Sequence, residues 1–189
     1  MGQTYSYPEY LDYESAGVLF IDERNVLGGY QPKRRFPCIT GIGGGKEDGD
    51  GSYVVTAFRE MFEELFGWKD VPQAFLKKVS AAVRPSAVFQ NGSYVIIALS
   101  FEELERILRI MRLEPPRSYV WSSTSPFYHR LPRTCWELIR NRKILEDSEI
   151  QQLILIPLLS GNRVSFDVAG EFLNDIKMHT AMMRGEREN

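Results

Sequence analysis

The sequence predicts an α/β fold: a mixed β-sheet sandwiched between helices in an α/β/α arrangement, with an extra helical insertion. Three observations carry this. Short apolar runs bounded by turn residues alternate irregularly with amphipathic stretches, which points to a mixed sheet with helices on both faces. The chain has 189 residues, enough for one domain with a sizeable core. Hydrophobic residues make up 43% and charged residues 25%, the balance of a folded chain rather than a disordered one.

Taken in order, residues 1–13 are aromatic and polar and read as an N-terminal arm. AGVLFID, Ala16 to Asp22, is a short apolar run between turn residues, hence a buried strand. VLGGYQ continues as a second strand, broken at Gly28-Gly29, and Lys33, Arg34 and Arg35 interrupt it. FPCIT leads back into the sheet, and a glycine-rich loop follows. A helix is expected from about Ser52 to Phe66. Val54, Phe58, Met61 and Leu65 recur at helical spacing as one apolar stripe. Asp50 or Ser52 can cap its first turn, and Gly67 fits its end.

FLKKVSAAV and SYVIIALSF read as strands, with an N-G turn signal at Asn91-Gly92 between them; pairing them requires a long loop. Ser100 with Glu103 forms an S-x-x-E capping box for a helix FEELERILRIMR, which Pro115-Pro116 ends. Residues 117–132 read as a loop rich in serine and aromatics, and TCWELIRNRKIL as a helix. Together, residues of about 101–145 form the helical, basic and aromatic insertion. IQQLILIPL is a late buried strand, VAGEFLNDIKMHTAMMR a final amphipathic helix, and 185–189 a frayed tail. Residues 1–189 read as a single domain.

A net charge of −2 does not advertise nucleic-acid binding, and DNA is not an expected partner, although a local basic patch can still bind RNA. Cys38 and Cys135 form no C-x-x-C pair, so no zinc or redox motif is present. Two thiols suit a reducing compartment, and a cytoplasmic location is expected. The N-terminus has no basic, apolar signal peptide, while Gly2 and Ser6 satisfy the short and common M-G-x-x-x-[ST] acylation pattern. The longest apolar run, LILIPLL, falls far short of the ~20 residues that span a bilayer. His129 and His179 read as ordinary polar side chains.

The chemistry concentrates in GIGGGKEDGDGSYVVTAFREMFEELFGW, Gly41 to Trp68. Residues three and four apart share a helix face, so Glu60, Glu63 and Glu64 are neighbours away from the apolar stripe. Such like charges destabilise an isolated helix by a few tenths of a kcal/mol per pair, and a divalent cation reverses that sign. Alone, E-x-x-E-E is the pattern of a solvated acidic face. The preceding Gly43, Gly44 and Gly45 can bring main-chain N–H groups close to an anion, with Lys46 adding a positive charge. A phosphate-binding loop feeding a metal-binding helix is equipment for attack on a phosphate chain.

Together these residues resemble the signature of the Nudix hydrolase family, G-x5-E-x7-R-E-U-x-E-E-x-G-U, where U is a bulky aliphatic. Gly45 takes the opening glycine; Arg59, Glu60, Met61, Glu63 and Glu64 follow at the required spacing. Two departures stand out. The first glutamate of the motif falls at Gly51, where Asp50, Asp48 or Glu47 can compensate; and Gly67 comes one place late, so the helix is expected to be one residue longer.

The resemblance implies a Nudix fold and hydrolysis of a diphosphate linked to another group, with Mg2+ or Mn2+ as cofactor. It implies Glu60, Glu63 and Glu64 as metal ligands, Glu64 or Glu60 as the group that deprotonates or orients water, and Arg59 as the residue that orients the glutamates. A further carboxylate from outside the motif is expected at Glu149, with Glu146 and Asp147 behind it. Gly44, Gly45, Lys46, Lys33, Arg34 and Arg35 are candidates for holding phosphates. The segment after Arg117 mixes Tyr119, Trp121, Phe127, Tyr128 and Trp136 with Arg130, Arg133, Arg140, Arg142 and Lys143. Aromatics stack on bases and arginines neutralise phosphates. The leading substrate expectation is therefore the 5′ cap of RNA, with Tyr119, Trp121 and Arg130 as contacts. Alternatives are small nucleotides (modified triphosphates, nucleotide sugars, dinucleoside polyphosphates) or diphosphoinositol polyphosphates. A non-catalytic binding module of the same fold is the reading from another class.

Overall fold

Strand β1 (Ser15–Phe20) shows how the layers arise. Ala16, Val18 and Phe20 point to one face and Leu19 to the other, and all four are buried. A strand buried on both faces needs a cover on each. The computed structural model, which describes residues 7–8, 11–114, 127, 130–144, 148–158 and 167–185, supplies both.

Among the described residues there are seven strands and five helices. The strands after β1 are β2 (Asn25–Gln31), β3 (Cys38–Thr40), β4 (Ile42–Gly45), β5 (Ala87–Asn91), β6 (Tyr94–Leu99) and β7 (Gln152–Pro157). The helices are α1 (Tyr53–Phe66), α2 (Gln73–Ala82), α3 (Phe101–Leu113), α4 (Cys135–Asn141) and α5 (Gly170–Arg184). One core unites Ala16, Val18 and Phe20 with apolar residues of α1, α2, α3 and α4. A second, on the other face, unites Leu19, Ile21 and Ile96 with Phe172 and Ile176 of α5. Helices thus cover both faces of β1, and the chain is mixed α/β as expected.

The sheet itself differs from expectation: there are two. One is mixed, in the order β4-β1-β6-β5, with β1 parallel to β6. The other, β3-β2-β7, is antiparallel. The division occurs at Asp22, whose Oδ1 accepts from the N–H groups of Arg24 (2.7 Å) and Asn25 (2.6 Å). This Asx turn swings the chain out of β1 and into a different set of partners.

Two other local readings are corrected. β2 runs unbroken through Gly28 and Gly29, because neighbours pack onto the bare backbone: a Cβ on Gly28 would lie 2.5 Å from Ile39 Cγ2. FLKKVSAAV is not a strand but most of α2, whose buried Leu76 and Val79 are three apart. The hairpin partner of β6 is instead β5. Asn91 pairs with Tyr94, so the turn holds only Gly92 and Ser93, with Gly92 at φ 63°. The capping box of α3 forms as read, Ser100 accepting from the Glu103 N–H at 3.3 Å. The apolar stripe of α3 (Leu104, Ile107, Leu108, Met111) is fully buried in the first core, so this part of the expected insertion is built into the layer over the sheet.

Candidate functional site

Helix α1 is the best-anchored element. Phe58, Met61, Phe62, Leu65 and Phe66 are all fully buried, each worth about 1.5–3 kcal/mol. Ser52 caps its start, accepting from the Val55 N–H. Gly67 ends it in the left-handed conformation (φ 65°), donating to the Glu63 carbonyl at 2.8 Å, which accounts for the late glycine of the motif. Polar side chains on such a helix are held at fixed positions.

The glycine segment facing it is not a loop. Ile42–Gly45 is β4, paired antiparallel with β1. Its glycines receive glutamates. The Gly43 N–H donates to Glu64 Oε2 at 2.7 Å. A Cβ on Gly44 would lie 2.5 Å from the Glu60 carboxyl carbon. Gly43 sits at φ +156°, and a Cβ there would lie 2.5 Å from Gly17 Cα, so only glycine fits. The cradle expected for an anion of the substrate thus already holds a carboxylate at Gly43. Glu64, expected on an arc away from the apolar stripe, is nonetheless only 8% exposed.

Arg59 ties the acidic groups together. Its Nη2 donates to Asp50 Oδ2 (2.9 Å) and to the Gly45 carbonyl (2.7 Å), and its Nη1 to Glu60 Oε1 (2.8 Å). Nη1 also lies 3.4 Å from Glu47 and 3.9 Å from Glu63. Asp50 is held in turn by the Thr56 hydroxyl (2.8 Å) and the Glu47 N–H (3.0 Å). The carboxylate lacking at Gly51 is therefore supplied one residue earlier. Burial alone would raise the Asp50 carboxyl, but hydrogen bonds from Arg59, Glu47 and Thr56 bring it below its ordinary value. Burial alone would lower Arg59; the Asp50 and Glu60 carboxylates more than offset it and keep the guanidinium charged.

The glutamates behave oppositely. Burial pushes the Glu60 carboxyl up against the pull of Arg59, with Glu63 and Glu47 adding repulsion. Glu64 is raised well above the ordinary range, by burial first; the Gly43 N–H holds it down, while Glu60, Glu149 and Glu63 push it further up. Glu149, an exposed residue just before β7, is thus close enough to act on Glu64. What brings it there is Arg142, expected in the basic patch. Its guanidinium donates to the carbonyls of Glu64 (2.8 Å) and Leu65 (3.1 Å) at the end of α1, and to Ser148 Oγ (3.0 Å) and the Gln151 carbonyl (3.3 Å). A cation there also complements the negative end of the helix dipole.

Among the described residues, no group of three or more His, Cys, Asp or Glu side chains is placed to hold a metal ion. The expected ligands are engaged elsewhere: Glu60 with Arg59, Glu64 with Gly43, and Glu63 between Arg59 and Lys69, whose Nζ is 3.8 Å away. The donor chemistry nonetheless suits a hard divalent cation, because the set consists of carboxylate oxygens and the charge of Glu63 bears on both Glu60 and Glu64.

The remaining candidates scatter. Lys46 lies over the Tyr13 ring, 4.7 Å from its centroid. Lys33 and Arg35 are exposed, Arg35 against Phe36. Arg130 is exposed, Trp136 is 63% exposed, and Phe127 is buried against Phe66. Tyr119 and Trp121, like Glu146 and Asp147, lie outside the described residues. Arg34 lines a cleft of about 490 Å3 that runs along Gly43, Gly44 and Gly45 to Tyr94, Asn91, Phe172 and Asp175. Sequence reasoning passed over the last four. Asn91 read only as a turn residue, and nothing local distinguishes Asp175.

No protein-family model matches the chain, and no curated protein matches it. Among solved structures, the chain is similar to a bifunctional NMN adenylyltransferase/ADP ribose pyrophosphatase from Francisella tularensis complexed with AMP and a manganese ion. The TM-score is 0.49 at 13% identity, over 93% of this chain and 43% of that one. A second structure of the bifunctional enzyme from that organism gives 0.46 and 14%, over 92% and 42%. The chain spans less than half the length of these enzymes. No described helix is long and apolar enough to cross a membrane.

Proposed function

We propose that this chain is a Nudix-type hydrolase that cleaves a nucleoside-linked diphosphate with the help of Mg2+ or Mn2+. One observation carries the reading. Glu60 and Glu64 are pressed together under partial or near-complete burial, beside Glu63 and Glu149, at an electrostatic cost that a bound cation would relieve. Folding alone gives no reason to keep that cost.

Glu60, Glu63 and Glu64 would hold the ion, which supplies neutralisation of phosphate oxygens and a bound water of lowered pKa. Arg59, fixed by Asp50, sets the direction of the Glu60 carboxylate. Glu64, kept on β4 by the Gly43 N–H, is available as a base, and Glu149 stands on the loop that Arg142 ties to α1. Arg34 brings a cation to the adjoining cleft, suited to a phosphate of the substrate.

The cleft favours a small nucleotide over a long capped RNA. Its volume suits a nucleoside, whereas the cap reading leans on a basic and aromatic segment in which Arg142 is occupied by backbone carbonyls and Phe127 serves the core. The non-catalytic reading loses its best support now that Asp50 meets Arg59.

The test is a panel of nucleotide sugars, dinucleoside polyphosphates, modified nucleoside triphosphates, a diphosphoinositol polyphosphate and cap-labelled RNA, with and without Mn2+. Metal-dependent cleavage of a small diphosphate, abolished by Glu64→Gln, is expected. No turnover of any member, or undiminished turnover by the variant, would end the proposal.

A further inference from the structure

The cleft has two chemically different ends. At one stand Gly43, Gly44 and Gly45 of β4, with Glu64 on the Gly43 N–H and Glu60 beside Gly44. At the other stands Asp175, on the face of α5 that meets the mixed sheet. The residue as a whole is 6% exposed, and Oδ1 accepts from Asn91 Nδ2 at 2.9 Å. Oδ2 accepts no hydrogen bond from the described residues. Glu171, one turn earlier on α5, also lines the cleft and adds a second negative charge. Between the two ends lies Tyr94. Gly17 and Gly43 carry no side chains, and a Cβ on either would collide with its hydroxyl, so the phenol rests on bare backbone. Its hydroxyl makes no hydrogen bond to the described residues. Burial, then the charges of Glu64, Asp175 and Glu60, keep it protonated and able to donate.

This arrangement sorts substrates by charge and by hydrogen-bonding edge. Phosphate oxygens are repelled from Asp175 and Glu171, so a diphosphate must lie at the Arg34 and β4 end. What enters the far end must be neutral or cationic and rich in donors. Phe172 gives that end an aromatic wall. A guanine edge offers N1–H and the 2-amino N–H side by side, which suits a carboxylate that accepts in parallel. Adenine turns the N1 lone pair towards the same oxygens and is repelled.

We propose that the Asp175–Asn91 end of this cleft selects a guanine-type base of the substrate, with Tyr94 donating to the group that links base and phosphates. The inference rests on the hydrolase reading for its substrate class. It is tested by binding rather than turnover, so that the two can fail separately.

Calorimetric titration of the protein with GDP, IDP and ADP in Mg2+ is the experiment. GDP should bind at least ~10-fold more tightly than ADP, with IDP, which lacks the 2-amino group, between them. Asp175→Asn should weaken GDP by about 10- to 100-fold and leave ADP no weaker, since an amide can donate to adenine N1. Asn91→Ala should weaken GDP less. Thermal melts of both variants establish that they are folded, and the wild-type series stands without them. Equal affinity for GDP and ADP in the wild type overturns the proposal. So does an Asp175→Asn variant that weakens both alike, which assigns Asp175 to the sugar or to the packing of α5. Equal affinity for GDP and ADP alongside metal-dependent hydrolysis of a diphosphate ends this inference and leaves the hydrolase reading intact. Selective GDP binding without hydrolysis of any diphosphate does the opposite.

Discussion

Replacing Glu64 by glutamine separates what that side chain does for folding from what it does for chemistry. A glutamine can still accept the Gly43 N–H, so the docking of α1 on β4 survives in shape. What disappears is a buried negative charge and its repulsion of Glu60 one turn away. The charged hydrogen bond becomes a neutral one, a loss of about 1 kcal/mol. Against that stand the cost of burying a carboxylate, upward of about 2 kcal/mol, and a few tenths of a kcal/mol for the like-charge pair. The net expectation is a gain of roughly 1–2 kcal/mol at neutral pH, or about 2–8 °C in Tm for a chain of this size.

The sign with pH follows from the raised carboxyl. The folded protein holds the proton more tightly than the unfolded chain, whose ordinary value is 4.5. The wild type therefore suffers no penalty below about pH 4.5 and an increasing one as pH rises through the folded value. The difference between variant and wild type should vanish near pH 4.5 and grow towards pH 8. Mn2+ should raise the Tm of the wild type and have far less effect on the variant. Differential scanning calorimetry at pH 5 and pH 8, with and without Mn2+, decides. A variant less stable than the wild type at pH 8, or a difference independent of pH, would refute the reasoning.

Asp50→Ala leaves Arg59 buried without its main partner and should cost towards the lower end of about 3–5 kcal/mol in chemical denaturation, since Glu60 and the Gly45 carbonyl remain. Gly44→Ala drives a methyl against the tip of Glu60, a flexible end that can swing away; stability should change by less than about 1 kcal/mol while metal-dependent turnover falls at least ~10-fold. Arg142→Met keeps the stem but frees two helix-end carbonyls and the loop carrying Glu149, costing about 2–3 kcal/mol in a urea melt and also lowering turnover. Gly51→Glu restores the sequence motif yet should leave stability within about 0.5 kcal/mol and activity near wild type, because a Cβ there meets nothing within 4 Å.

What could be read from the sequence was what is local. The helix α1, its cap at Ser52 and its end at Gly67 follow from neighbours within a few turns, and the grouping of Glu60, Glu63 and Glu64 follows from helix geometry. Pairing across the chain was not legible. Glycines carry no hydrophobic signal, so β4 read as a loop until β1 lay beside it. FLKKVSAAV alternates enough to pass for a strand, and only its burial pattern reveals the helix. Asp175 was invisible because Asn91 is 84 residues away, and Arg142 looked like one arginine of a basic run because its acceptors are backbone oxygens of α1 and the 148–151 loop.

The departure at Gly51 is resolved by the same kind of distant reasoning. A motif records spacing along the chain, whereas Arg59 responds to where an oxygen lies. Residues 47–50 form a tight turn in which the Asp50 N–H donates to the Glu47 carbonyl (2.9 Å) and the Glu47 N–H donates back to Asp50 Oδ2 (3.0 Å). That reciprocal pair, with the Thr56 hydroxyl, fixes the shorter carboxylate directly under the guanidinium. A longer glutamate one residue later would have to fold back from open space to reach it, losing side-chain entropy of up to about 2 kcal/mol, more than the shorter Asp50 loses. The anchor of Arg59 is therefore preserved by a different residue. Since Arg59 directs Glu60 and Glu60 rests on Gly44, the geometry on which the proposed chemistry depends does not pass through position 51 at all.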